Sequence, residues 1–151
     1  MGIEDRLREL QIDLPEVAPA GNYLPSCRVG NLIFISGQLP KVEGRIAFRG
    51  RVGKEVDLES ARRAAKACVA NLLAVLKQDL GSLDRVKKVV RLTGYVNSFP
   101  GFQEQHKVVD GASDLLVEIF GDSGRHSRVS VGVVELPMGA AVELEMIVEI
   151  K

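Results

Sequence analysis

Apolar and polar residues alternate over 142–150, Val-Glu-Leu-Glu-Met-Ile-Val-Glu-Ile. That period of two predicts a strand with Glu143, Glu145 and Glu149 on one face and apolar side chains on the other. A second strand-like run opens at Arg128, and the Leu136-Pro137 pair separates the two. The pair reads as a hairpin, with a cation and a carboxylate on neighbouring strands. Near the other end, residues 23–29 and 32–36 read as two strands joined at Gly30-Asn31, a turn-compatible pair. The run Leu-Ile-Phe-Ile at 32–35 is apolar throughout and predicts a central strand.

Between these ends the rhythm becomes helical. Asp57 caps a helix from Leu58 whose face runs Ala61, Ala64 or Ala65, Cys68, Leu72, and Val75 or Leu76, ending near Gly81. The many alanines let it lie close on a sheet. Residues 86–96 predict a strand. A second helix begins after Pro100, with Phe102, Val109, Leu116 and Phe120 on its face, and stops at Gly121. Gly111 within it costs about 1 kcal/mol relative to alanine, which marks close packing. A short helix over 4–10 precedes a loop at Pro15 and Pro19. Residues 41–53, Gly-rich and basic with a weak strand at 46–48, read as exposed and mobile.

The element order is β-β-(β)-α-β-α-β-β. It predicts an α+β fold, a single mixed β-sheet with two helices packed on one face. Two helices cover one face only, so the other face calls for self-association. The 151 residues make one domain, with residues 1–20 as an N-terminal extension. Composition is that of a folded protein: 46% hydrophobic and 26% charged. Lys plus Arg and Asp plus Glu are 20 each, which argues against bulk electrostatic binding of nucleic acid. The local cluster Arg85, Lys87, Lys88, Arg91 reads as a solvated strand edge. Cys27 and Cys68 have no metal-binding or disulfide spacing. With no apolar leader and no run of about 20 apolar residues, the expectation is a cytoplasmic protein without membrane contact.

Four segments together resemble a known family. They are Gly30-Asn-Leu-Ile-Phe-Ile-Ser-Gly-Gln-Leu-Pro40, the alanine-rich helix 58–80, residues 86–97, and the stretch from Arg128 to Glu145. The chain, from Tyr23 to Ile150, is similar to the reactive-intermediate deaminases, the RidA/YjgF family, also described as endoribonuclease L-PSP. The resemblance implies a chorismate-mutase-like fold and a homotrimer with clefts between subunits. It implies hydrolysis of 2-imino acids to 2-keto acids and ammonia, with no metal or organic cofactor. It places the carboxylate-gripping arginine on Arg128 and the water-positioning glutamate on Glu143. Substrate contacts fall on Tyr23, Ser36, Gly37, Ser130 and His106. Ser130 stands where the family usually has cysteine, and His106 where it often has asparagine. A Gly-Arg-His-Ser approach to Arg128 also departs from the pattern.

Chemistry supports those assignments. The planar arginine fork matches two carboxylate oxygens. A glutamate accepts a proton from attacking water, and glycine permits close approach of backbone to ligand. Ser130 has no paired base in sequence, so its carbonyl is the expected contact. His126 has a weaker claim than His106. Three functions compete: imine deamination, non-catalytic binding of a keto acid or similar small carboxylate, and RNA cleavage. The last finds neither a histidine pair at a plausible spacing nor a cationic surplus.

Overall fold

The computed structural model describes residues 2–18 and 21–151; Met1 and Pro19-Ala20, and with them the Pro19 turn, lie outside the described residues. Two long helices pack on one face of a five-stranded sheet, and a short N-terminal helix packs against the second of them. In chain order the elements are α1 (Ile3–Glu9), β1 (Ser26–Val29), β2 (Leu32–Gln38), β3 (Lys41–Val42), β4 (Arg45–Ile46), α2 (Leu58–Leu80), β5 (Val86–Asn97), α3 (Gln105–Phe120), β6 (Ser127–Val133) and β7 (Val142–Ile150). The sheet order is β1-β2-β7-β5-β6, and β3-β4 form a separate small ribbon. Every contact in the main sheet is antiparallel except β5 with β6. Among the described residues no helix is long and apolar enough to cross a membrane.

The first hairpin forms as expected, with Val29 opposite Leu32 across Gly30-Asn31. Its second strand is not central, because β2 lies next to the edge and Phe34 is 41% exposed. The terminal hairpin does not form at all. α3 carries the chain from β5 across to a parallel β6, and β7 crosses back to the far edge of β5. A signal was present: eight residues, 134–141, separate the two strands, more than a tight hairpin uses. β7 therefore sits in the middle of the sheet, where Val142, Leu144, Met146, Val148 and Ile150 are buried under the helices.

Those side chains join Ile33, Ile35, Leu92 and Val96 against the apolar faces of α2 and α3. Asp57 caps α2 by accepting from the Ser60 backbone N–H at 2.7 Å. Gly81 ends the helix at φ +79°, a conformation that glycine adopts without strain. The buried face of α3 is Val108, Val109, Ala112, Leu116 and Ile119; Phe102 precedes the helix rather than lying on it. Gly111 does mark close packing. A Cβ there would stand 2.7 Å from the Arg62 carbonyl oxygen on α2. Gly111→Ala is thus expected to lower unfolding free energy by about 2 kcal/mol despite alanine's better helix propensity. Chemical denaturation checks this, and an unchanged midpoint would contradict the packing.

The segment 41–53 differs most from expectation. It is pinned to the sheet end by Val52 N–H to Asn97 O (2.7 Å) and Phe99 N–H to Val52 O (3.0 Å), and Val52 is fully buried. The N-terminal segment also packs: Leu7 enters the core, Lys77 pairs with Glu4 at 3.0 Å, and the Ile3 N–H donates to Asp84 at 2.8 Å.

Across the sheet from the helices lies an uncovered face. Alternation places Phe34, Thr93, Tyr95, Val129, Val131, Glu143, Glu145 and Ile147 there, and the register stacks Val131–Tyr95–Glu143 and Val129–Thr93–Glu145 in rows. Val129 and Val131 remain 38% and 40% exposed.

Candidate active site

Arg128 is the second residue of edge strand β6. Its register partner is Leu92, whose own partner on β7 is Met146. Both are buried beneath the helices, so Arg128 points to the helix side, where α3 receives it. Its Nη1 donates to Asp110 Oδ1 at 2.8 Å and Ser113 Oγ at 3.0 Å, and its Nη2 donates to the His106 carbonyl at 3.2 Å. Asp110 and Ser113 are one helical turn apart, so one face of α3 supplies both. The carboxylate partner is therefore on a helix, not on the neighbouring strand the sequence suggested. A guanidinium has five donors. Among the described residues three are engaged, which leaves Nε–H and one Nη2 hydrogen for a substrate carboxylate.

His106 contributes through its backbone; its ring is exposed. Ser130, two residues after Arg128, shares the helix side opposite Gly94, and its Oγ is buried without a hydrogen-bond partner among the described residues. Asp110 and Ser113 were not singled out from sequence. Their spacing on the predicted second helix was the available signal.

A second group forms around the β2–β7 contact. A bulge lies between Ile35 and Gln38, and glycine at 37 lets Glu143 close in: a Cβ there would stand 2.5 Å from Glu143 Oε2. Ser36 donates through Oγ to the Leu24 carbonyl at 2.7 Å and through its backbone to Pro25 at 2.9 Å. This ties the bulge to the loop bearing Tyr23, itself half exposed. Burial, and after it the neighbouring charge of Glu145, raises the Glu143 carboxyl above its ordinary value. Tyr95 donates to Glu145 at 3.0 Å. Its own phenol is pushed up, first by burial and then by the Glu145 hydrogen bond.

The two groups do not meet within one chain. Glu143 pairs with Tyr95 on the uncovered face, while Arg128 pairs with Leu92 on the helix side, with β5 between them. Two strand spacings and a three-residue offset put their Cα atoms roughly 14 Å apart, with side chains directed to opposite faces.

Two concavities flank this layout. One of about 290 Å³ lies beside Arg128 and is lined by Ser113, Asp114, Val117, Arg125 and His126. A larger cleft of about 860 Å³ lies at the C-terminal ends of β5 and β6, with Arg49, Arg51, Asn97 and Phe99 in its wall; none of the substrate-contact or catalytic candidates from the sequence lines it. Among the described residues no three His, Cys, Asp or Glu side chains are grouped so as to hold a metal ion.

Comparison with known proteins places this architecture. The family model described as "YjgF/chorismate_mutase-like, putative endoribonuclease" matches residues 4–150. The chain belongs to the YjgF/RidA family. It is similar to "Protein TCP17" of Trypanosoma cruzi, with 44% identity over 95% of this chain and 91% of the relative. A solved protein of unknown function from Agrobacterium tumefaciens superposes with a TM-score of 0.94 at 48% identity, covering 99% of this chain and 92% of that one. A Dermatophagoides farinae protein named 2-iminobutanoate/2-iminopropanoate deaminase is 31% identical over 88% of this chain and 89% of its own length. The α+β sheet with helices on one face is thus the YjgF/chorismate-mutase-like fold.

Proposed function

We propose that this chain hydrolyses small 2-imino acids to 2-keto acids and ammonia, at a site where Arg128 of one copy meets Glu143 of another. The observation that carries the reading is the pre-set guanidinium. Asp110, Ser113 and the His106 carbonyl hold it, and among the described residues its Nε–H and one Nη2 hydrogen are left for a ligand. The mite relative's name supports the reaction class. The uncovered face bearing Phe34, Val129 and Val131 supports association of copies, as a homotrimer in this reading, because burial removes that apolar surface from water.

In this reading Arg128 binds the substrate carboxylate and fixes the imine carbon. Water adds to that carbon as Glu143 takes its proton. The carbinolamine nitrogen is protonated, the C–N bond breaks, and ammonia leaves with the bonding pair. The carbonyl forms as the hydroxyl proton departs. Anchoring contributes much of the rate, since a protonated imine is already electrophilic. Gly37 brings backbone close to Glu143, and Ser36 ties the loop that bears Tyr23 to the same bulge. The Ser130 carbonyl, on the arginine side, is the water contact.

The test couples an amino-acid oxidase, which generates imines, to a readout of imine loss across side-chain sizes. The reading expects faster loss with protein present and competition by 2-keto acids. Keto-acid binding without faster loss would leave a metabolite-binding protein, and neither effect would refute the site. RNA cleavage gains little from the basic cluster: Lys87 lies 3.9 Å from Glu149, and Arg91 donates to Ser127 at 3.5 Å.

A further inference from the structure

His126 lies behind Ser113, away from the substrate contacts. Its Nδ1 is 2.6 Å from the Gly124 carbonyl and its Nε2 is 2.9 Å from Ser113 Oγ. A carbonyl only accepts, so Nδ1 carries the proton. In the neutral ring Nε2 then accepts, and Ser113 must donate its single hydroxyl proton to it. With that proton committed, the Ser113 oxygen turns lone pairs toward Arg128 Nη1 at 3.0 Å. We propose that His126 is a positioning residue for the substrate-binding arginine, acting through Ser113, so that a Gly124–His126–Ser113–Arg128 chain sets the guanidinium angle.

Burial, foremost, lowers the His126 pKa from its ordinary value, and the Arg128 charge lowers it further against the raising effect of the Gly124 hydrogen bond. The neutral, accepting ring is the form this favours. The charged groups around it are Arg125 and Arg128 on its own strand and approach, Asp110 and Asp114 on α3, Asp122 paired with Arg125 at 3.4 Å, and Arg62 of α2 held 3.5 Å from Asp114. The cations are thus partly balanced. Nothing but Ser113 hydrogen-bonds Nε2 among the described residues. The same chain explains why serine sits one turn after Asp110. The carboxylate supplies charge, and the hydroxyl, locked by histidine, supplies direction.

The inference rests on the proposed site, and two amides of different length separate it from that reading. In His126→Asn the amide keeps a donor near Gly124 but does not reach Ser113. In His126→Gln the longer amide presents an acceptor where Nε2 stood. The expected result is that H126N weakens 2-keto acid binding and raises KM about fivefold, the worth of one neutral hydrogen bond, with kcat unchanged. H126Q restores binding, and adding H126N to Ser113→Ala brings no further loss. Equal impairment of H126N and H126Q would contradict the proposal, because an acceptor restored at the Nε2 position would then have no effect, and wild-type binding in H126N would show that His126 acts only through Gly124 and overturn it outright. If Arg128→Ala itself leaves binding intact, the site reading has failed instead. The Arg128 Nε–H resonance of the free protein then still decides this inference: it should move in H126N and return in H126Q, and a resonance fixed in both contradicts the chain.

Discussion

Arg128→Ala is expected to lower kcat/KM for a small 2-imino acid by about a thousandfold and to remove measurable 2-keto acid binding, because truncating a paired charge strips the anchor and leaves its partner unmatched. Here the partner is Asp110, 2.8 Å away. Its carboxylate would then stand beside the place where the substrate's carboxylate binds, with no arginine to neutralise it. Arg128→Lys should recover little. An ammonium can satisfy Asp110 or the substrate but has no planar fork to hold both, nor the geometry to reach Ser113 and the His106 carbonyl together. Circular dichroism of both variants separates this from misfolding. Since Arg128 lies on an edge strand with its side chain 22% exposed, the fold should survive. Retained turnover in Arg128→Ala would remove the basis for the proposed function.

The second large effect concerns Glu143. Glu143→Gln should reduce kcat about a hundredfold, the range of a lost general base, while keto-acid binding through Arg128 persists. The wild-type acid limb should lie above the ordinary carboxylate range, because burial and Glu145 raise this carboxyl. The residual activity of Glu143→Gln should lack that limb. Stability carries the same sign. With the folded-state pKa above the unfolded one, the folded chain binds the extra proton between the two values. Stability therefore falls as pH rises through that window and stays lowered above it. Glu143→Gln should melt higher than wild type at neutral pH, and the gap should close as pH drops below the unfolded carboxylate value. A variant that melts lower at neutral pH would show that the charge is compensated in the assembled protein.

Much of this was legible from pattern. α2 was readable from Asp57, the alanine face and Gly81, since capping and amphipathicity are local. The β1–β2 hairpin was readable from Gly30-Asn31 for the same reason. The order of strands was not, because alternation at 142–150 says that one face is buried but not which strands lie alongside. The eight-residue link and the parallel crossover through α3 decided that, and both are non-local. Segment 41–53 looked loose because its anchors are backbone hydrogen bonds to Asn97, Phe99 and Gly139, invisible in side-chain composition. At the site, the sequence showed Arg128 and Glu143 through family resemblance, and cation next to carboxylate through pattern. The structure separates them across β5 and gives the arginine a different carboxylate, Asp110. His106 stood out as a titratable side chain, yet its carbonyl makes the contact. Residue type alone does not distinguish a ring from a backbone.

That separation also supplies the sharpest test. Arg128→Ala and Glu143→Gln chains, each reduced alone to about one hundredth of wild-type turnover or less, should be mixed, unfolded and refolded together, and assayed for imine hydrolysis. If each site draws its arginine and its glutamate from different copies, random assembly gives intact sites at about one quarter of positions, and the mixture should recover about a quarter of wild-type turnover. A refolded mixture that associates normally and stays as inactive as its parents would contradict the shared site.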